Sequence, residues 1–308
     1  MRLNIPLLFF EINLMKLFFF KFSLLLFALS LLGCKKNDVS FSSEKIATTE
    51  NQIHYAKGFS IYQHKGFSIV KVSSPWPKAN KEYTYILKEK DGIVPDSLQQ
   101  FTTIQVPLQS IVVTSTTHIP SLEMLGVENS LIGFPNLNYI SSEKVRNRIE
   151  QGKIKELGNN QSLNIETLID LQPNIIIGYG LDNNNPSLDN LQKSGLKVLL
   201  NGDWNEPTPL GKAEWIKLFG ALYNKQQEAD AFFSKIVKEY LKTAEIAKMA
   251  KIKPTILAGD IFEGKWYLPS GTSWGSLLLN EAHSNYLWQE TTGTGSLSLS
   301  FETVFEKA

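Results

Sequence analysis

Residues 164–180 read NIETLIDLQPNIIIGYG, and this short run holds one helix and one strand. Asn164 can cap a first turn, because its side-chain oxygen can accept one of the amides that a helix start leaves without a partner. Leu163 and Leu168 stand at the two positions of a hydrophobic staple, and Pro173 forces the chain out of helix soon after. Ile175 to Gly178 follow as a short apolar run closed by Tyr179-Gly180, the pattern of a buried strand. The same alternation extends both ways. Ile111 to Thr114, Leu131 to Phe134 and Val198 to Leu200 read as further strands. Helices lie between them, one opening near Pro120 and stopping at Gly126, one over Ser141 to Gln151 and one ending at Gly195. Short strands alternating with helices predict an α/β lobe on a parallel sheet, here over residues 109–224.

Upstream, the segments FSIYQH, FSIVKVS, YTYILKE and TTIQVPL are rich in β-formers, with Gly66, Pro75, Pro77 and Asp91-Gly92 between them. They predict a small antiparallel section over residues 55–108. Residues 35–52, KKNDVSFSSEKIATTENQ, are polar and short in aromatics. With Cys34 before them, residues 34–54 read as a lipidated cysteine on a polar tether. From Met15 the chain reads MKLFFFKFSLLLFALSLLGC, with basic Lys16 and Lys21, an apolar core from Phe22 to Leu32, and small Gly33 before the only cysteine. The apolar run after Lys21 is too short to span about 30 Å of hydrocarbon at 1.5 Å per residue. It resembles a bacterial lipoprotein signal, which implies removal of residues 1–33, lipid on the Cys34 thiolate, and Met15 rather than Met1 as the start.

Downstream, Lys212 to Lys251 reads as helix broken near Gly220 to Asn224. Its second part, 225–251, carries Ala229, Phe233, Ile236, Tyr240 and Leu241 at helical spacing, which makes a rod of roughly 39 Å. Residues 252–308 add a strand from Thr255 to Gly259, a turn at Glu263-Gly264 into Trp266-Tyr267-Leu268, and a helix from about Ser273 to Ala282. So few strands lead us to expect a second lobe cut short at Ala308. An internal echo favours two related lobes. SLNIETLI at 162–169 recurs as SLSFETVF at 298–305, with four identities, and this suggests a duplicated architecture.

The bulk composition bounds the function. With 43% hydrophobic and 20% charged residues the chain can bury a real core. Lys plus Arg number 31 against 30 Asp plus Glu, so no basic excess exists to hold a phosphate backbone and nucleic acid is not an expected partner. One cysteine excludes an internal disulfide and a zinc knuckle.

Read in order, IVVTSTTHIPSLEMLG at 111–126, LIGFPN at 131–136, NIETLIDLQPNIIIGYG, LQKSGLKVLL at 191–200, LLLNEAHSNYLW at 277–288 and SLSFETVFEKA at 298–308 resemble the periplasmic-binding family for iron siderophores, haem and cobalamin. NGDWNEPTPLGKAEWIKLFG at 201–220 resembles a subset of it found in Bacteroidetes-type bacteria, and His283-Ser284 departs from a Gly pair common in relatives. The resemblance implies two Rossmann-like lobes joined by one long helix, a periplasmic lipoprotein, and a monomer that delivers its ligand to an ABC permease in the inner membrane. It implies no resident cofactor, the cargo being a chelated metal such as a ferric siderophore, haem or cobalamin. In the family one acidic residue on each lobe docks with the permease, and the matching positions are Glu166 and Glu302.

In an open α/β sheet the loops at the carboxyl ends of the strands face a crevice. Those loops supply Thr117, His118, Tyr179, Trp204 and Glu206 as candidate ligand contacts, and the second lobe would supply Phe262, Trp266, Tyr267 and Trp274. Flat aromatic faces suit a large planar or aryl-bearing ligand. Of the four histidines only His118 lies on such a loop, so no set of ligands for a bare metal ion is expected. No P-loop, G-x-G-x-x-G or H-E-x-x-H occurs, and the chain is not expected to be an enzyme with catalytic residues. The alternative is an extracytoplasmic glycoside hydrolase using Asp203 and Glu206 as a carboxylate pair.

Overall fold

The computed structural model describes residues 49–307. The signal at 1–33, Cys34 and most of the tether lie outside them. Among the described residues no helix is long and apolar enough to cross a membrane.

The first element is a four-stranded sheet of β1 (Phe59–His64), β2 (Phe67–Val72), β3 (Tyr83–Glu89) and β4 (Thr102–Val106), paired in that order. Strands β1 to β3 are antiparallel, as their alternation predicts, but β4 runs parallel to β3. The expectation of an all-antiparallel section is corrected there. The connection from Lys90 to Phe101 is long enough, with a short helical turn at Asp96–Leu98, to carry the chain back before it re-enters the sheet. One face of this sheet, including Phe59, Ile61, Val70 and Val72, joins the main core. The other covers a small cluster of Phe67, Ile86 and Leu98.

The α/β lobe contains β5 (Ile111–Val113), α1 (Ile119–Met124), β6 (Leu131–Phe134), α2 (Glu143–Glu150), β7 (Lys155–Glu156), β8 (Gly158–Asn159), β9 (Ser162–Leu163), α3 (Ile165–Leu171), β10 (Ile175–Gly178), α4 (Pro186–Lys193) and β11 (Val198–Leu200). The parallel sheet has the order β11-β10-β5-β6-β7. From β5 the chain winds outward through β6 and β7, then returns to the other side for β10 and β11. Strand order therefore reverses between β5 and β10, and a crevice opens at their carboxyl ends. Strands β5, β10 and β11 are buried throughout. Helix α3 begins as its sequence dictates, with Asn164 Oδ1 accepting the Thr167 amide at 3.0 Å and Leu163 and Leu168 both buried.

Next come α5 (Pro209–Glu214), α6 (Ile216–Leu222) and α7 (Gln226–Lys248). Helix α7 has 23 residues, a rod of about 35 Å. It buries Ala229 and Phe233. Gly220 of α6 lets it approach, since a Cβ there would lie 2.6 Å from that of Ala229.

Residues beyond α7 form a separate cluster. Strand β12 (Thr255–Ile256) pairs in parallel with β15 (Asn285–Tyr286), and β13 (Asp260–Phe262), β14 (Lys265–Pro269) and β16 (Ser296–Leu299) make an antiparallel sheet. Glu263 and Gly264 take φ of 50° and 75°, the paired left-handed conformations of a tight hairpin turn. Helices α8 (Trp274–Glu281) and α9 (Phe301–Lys307) complete it around Leu268, Tyr286, Trp288 and Val304. The sequence echo is also structural. Ser162-Leu163 and Ser298-Leu299 each end a strand, and Asn164 and Ser300 each cap the helix that follows.

Candidate functional site

Two cavities take residues from the loops that follow the parallel strands. Thr114 continues β5 and is fastened to β10, its amide and hydroxyl both donating to the Ile177 carbonyl. The chain then turns through Thr116–His118 into α1. Thr117 faces a first cavity of about 280 Å³. Asp203, on the loop after β11, lines it too and accepts from the Thr117 hydroxyl at 3.3 Å. Lys212 of α5 lies 3.7 Å from Asp203 and 5.4 Å from the centre of the Trp274 ring. Met124, Phe219, Ile236 and Trp274 give the rest of the wall an apolar character. Residues from loops that follow the parallel strands, from the long helix and from the last section thus share one cavity.

The second cavity, about 310 Å³, has Thr114 at the end of β5 in its wall. Asn160, Gln161, Tyr179, Asn184 and Asn185 line it. Asn160 donates to the Tyr179 hydroxyl at 3.2 Å. The loop after β10 is pinned from the amino-terminal sheet, where the buried Trp76 indole donates to Asn183 at 2.8 Å.

The expected site residues fall into three groups. Thr117 and Trp274 line the first cavity together, and Tyr179 lines the second. Trp204 packs on the main core, its indole nitrogen buried and without a hydrogen-bond partner among the described residues. His118 and Glu206 are interior. The His118 ring is wholly buried near Phe219, and neither nitrogen has a partner among the described residues. Burial lowers its pKa to about 4, against the raising influence of Asp203, so the ring stays neutral near pH 7.

Glu206 is corrected from a ligand contact to a clamp. Its carboxylate accepts from the Lys57 and Gly58 amides at 2.9 and 2.8 Å and from the Trp215 indole at 2.9 Å. Glu214, wholly buried, does the same for His54, Tyr55 and Ala56 at 2.7–3.1 Å, with Lys217 at 3.2 Å. Gly58 permits the approach, because a Cβ there would meet the Glu206 carboxylate at 3.0 Å and the Trp215 ring at 3.2 Å. A carboxylate so occupied cannot pair with Asp203 across a substrate, and the hydrolase reading falls with it.

The second-section aromatics are separated by the pleat. On β14, Trp266 and Leu268 face the small core while Lys265 and Tyr267 face away, since successive side chains alternate. Trp266 donates its indole N–H to the Ala258 carbonyl at 3.1 Å. Phe262 and Tyr267 are exposed, their ring centres 6.4 Å apart. The expectation that these three share one cleft wall with Trp274 does not survive the two-residue period. Lys212 and Met124 were missed. Lys212 could have been suspected from its position one turn into the helix that follows the Asp203 loop. No group of three or more His, Cys, Asp or Glu side chains among the described residues could hold a metal ion.

Comparison with known proteins adds three findings. Residues 111–308 match the family described as periplasmic binding protein. An uncharacterized lipoprotein of Methanocaldococcus jannaschii is 28% identical over 238 residues, which cover 73% of this chain and 57% of that protein. This chain spans little more than half the length of the curated relatives it matches. Among solved structures, a periplasmic binding protein from Veillonella parvula superposes with a TM-score of 0.53 at 15% identity, covering 80% of this chain and 71% of that one. A periplasmic heme binding protein of Vibrio cholerae gives 0.51 at 16% identity, covering 65% and 73%. At these identities the likeness is one of fold.

Proposed function

The chain belongs to the periplasmic binding protein family, whose members are substrate-binding proteins and not enzymes, and from that premise we propose that it captures a chelated metal outside the cytoplasm. The cargo is an iron chelate, haem or a corrinoid, held in the crevice and passed to a membrane permease that docks on Glu166 and Glu302. A lipid on Cys34 holds the protein at the membrane surface. The observation that carries the reading is the first cavity, where Thr117, Asp203 and Lys212 meet Trp274 of the last section across an apolar wall. An aromatic, largely apolar pocket with a few polar groups is what a large planar ligand needs. The heme-binding neighbour and the lipoprotein relative support the same direction.

An absorbance spectrum of the protein purified from its native membranes tests the reading. A visible band of haem, corrinoid or ferric catecholate is expected to co-purify. A featureless spectrum, joined to no thermal shift with any of these added, would reject capture of a metal chelate. Trp274→Ala is expected to weaken binding of the co-purifying ligand by at least about tenfold, about 1.4 kcal/mol. Unchanged affinity in a folded variant would move the site away from the first cavity.

A further inference from the structure

We propose that this crevice selects a chelate with a neutral, amide- or hydroxyl-bearing periphery over one carrying carboxylates or catecholates, an inference that rests on the capture reading above. The argument is one of charge. Among the described residues, the lining of the two cavities includes the carboxylates Asp182 and Asp203 and one cation, Lys212. That cation is not free. It is shared between Asp203 and the face of Trp274, so its charge is already partly offset and an anionic group that reaches it also faces the Asp203 carboxylate. An anion entering the crevice would lose water and meet a lining with one more negative than positive charge, and like charge across an interface is a strong source of rejection.

The polar lining that remains is neutral and two-sided. Each carboxamide offers two donors and an acceptor. Asn160 and Asn185 spend donors on Tyr179 and on the Asp182 carbonyl. Gln161 and Asn184 are exposed, and their side-chain amides make no hydrogen bond among the described residues. Groups that both give and accept match the carboxamides and hydroxyls of a chelate's periphery, which also do both, and the oxygens of an iron-bound hydroxamate, which accept. The apolar first cavity can then take the flat body of such a ligand while the amide-lined second cavity reads its rim.

Calorimetric titration of the full mature protein with four probes tests this: cyanocobalamin and a ferric trihydroxamate as neutral chelates, haemin and a ferric tricatecholate as anionic ones. The tighter neutral probe is expected to exceed both anionic probes by at least about tenfold. An anionic probe that binds as tightly as the better neutral one overturns the charge inference and leaves the capture reading standing. Binding by none of the four rejects the capture reading and this inference with it. Asp182→Asn keeps an oxygen able to accept from the Asn184 amide and removes one negative charge. It is expected to move the ratio of haemin to neutral-probe affinity about threefold toward haemin, and a ratio that stays put overturns charge as the selecting feature.

Discussion

Replacing Glu214 by Ala is expected to destabilise the fold by about 3–5 kcal/mol, the usual cost of removing one partner from a buried charged cluster. The Glu214 side chain is wholly buried and receives three consecutive backbone amides, His54 to Ala56, together with Lys217. Hydrogen bonds to a charged group contribute about 1.5–3 kcal/mol each, and buried donors left without an acceptor cost more than the bond itself. In a thermal melt this corresponds to a fall of about 10 °C for a chain of this size. Glu214→Gln retains one acceptor oxygen and should fall between wild type and Ala. If the Ala variant melts within about 2 °C of wild type, the amino-terminal segment is held by something other than this carboxylate.

The second large effect concerns delivery rather than folding. Glu166 and Glu302 are exposed, each two places beyond a capping residue, in helices that the internal echo places in the same local frame. Hydrogen bonds from its own backbone amide and from Ser300 hold the Glu302 carboxyl below its ordinary pKa, so it is charged at neutral pH. With both changed to Lys, uptake through the permease is expected to drop by at least about tenfold while ligand affinity stays within about twofold, because exposed interfacial charges steer and register docking. Normal uptake by the double variant would reject the docking assignment. Loss of ligand binding would assign these residues to the fold instead.

The parallel sheet was legible because its signals are local. The strands at 131–134, 175–178 and 198–200 fall where the apolar runs put them, and Asn164, Leu163 and Leu168 act within one helical turn of each other. The tiny strands β7 to β9 were not legible. Two residues carry no periodicity, and their pairing is set by neighbours already in place. The roles of Glu206 and Glu214 were hidden for a different reason. Their partners are backbone amides about 150 residues away in sequence, and an amide leaves no mark in the letters. For the second-section aromatics the opposite holds. The alternation of Lys265, Trp266 and Tyr267 already divided them between two faces, and treating them as one cluster overlooked a rule the sequence obeys.

A few side-chain contacts set what must break for the crevice to widen. Asn205 donates to Ser74 of the amino-terminal section at 3.0 Å and accepts from Thr294 of the last section at 2.8 Å. Well away along the chain, Tyr240 of the long helix donates to Glu281 of α8. Lys212 over the Trp274 ring is a third contact between the same parts. Any ligand that widens the crevice must therefore break at least one of the three, and each one broken is taken from the affinity the pocket could otherwise give.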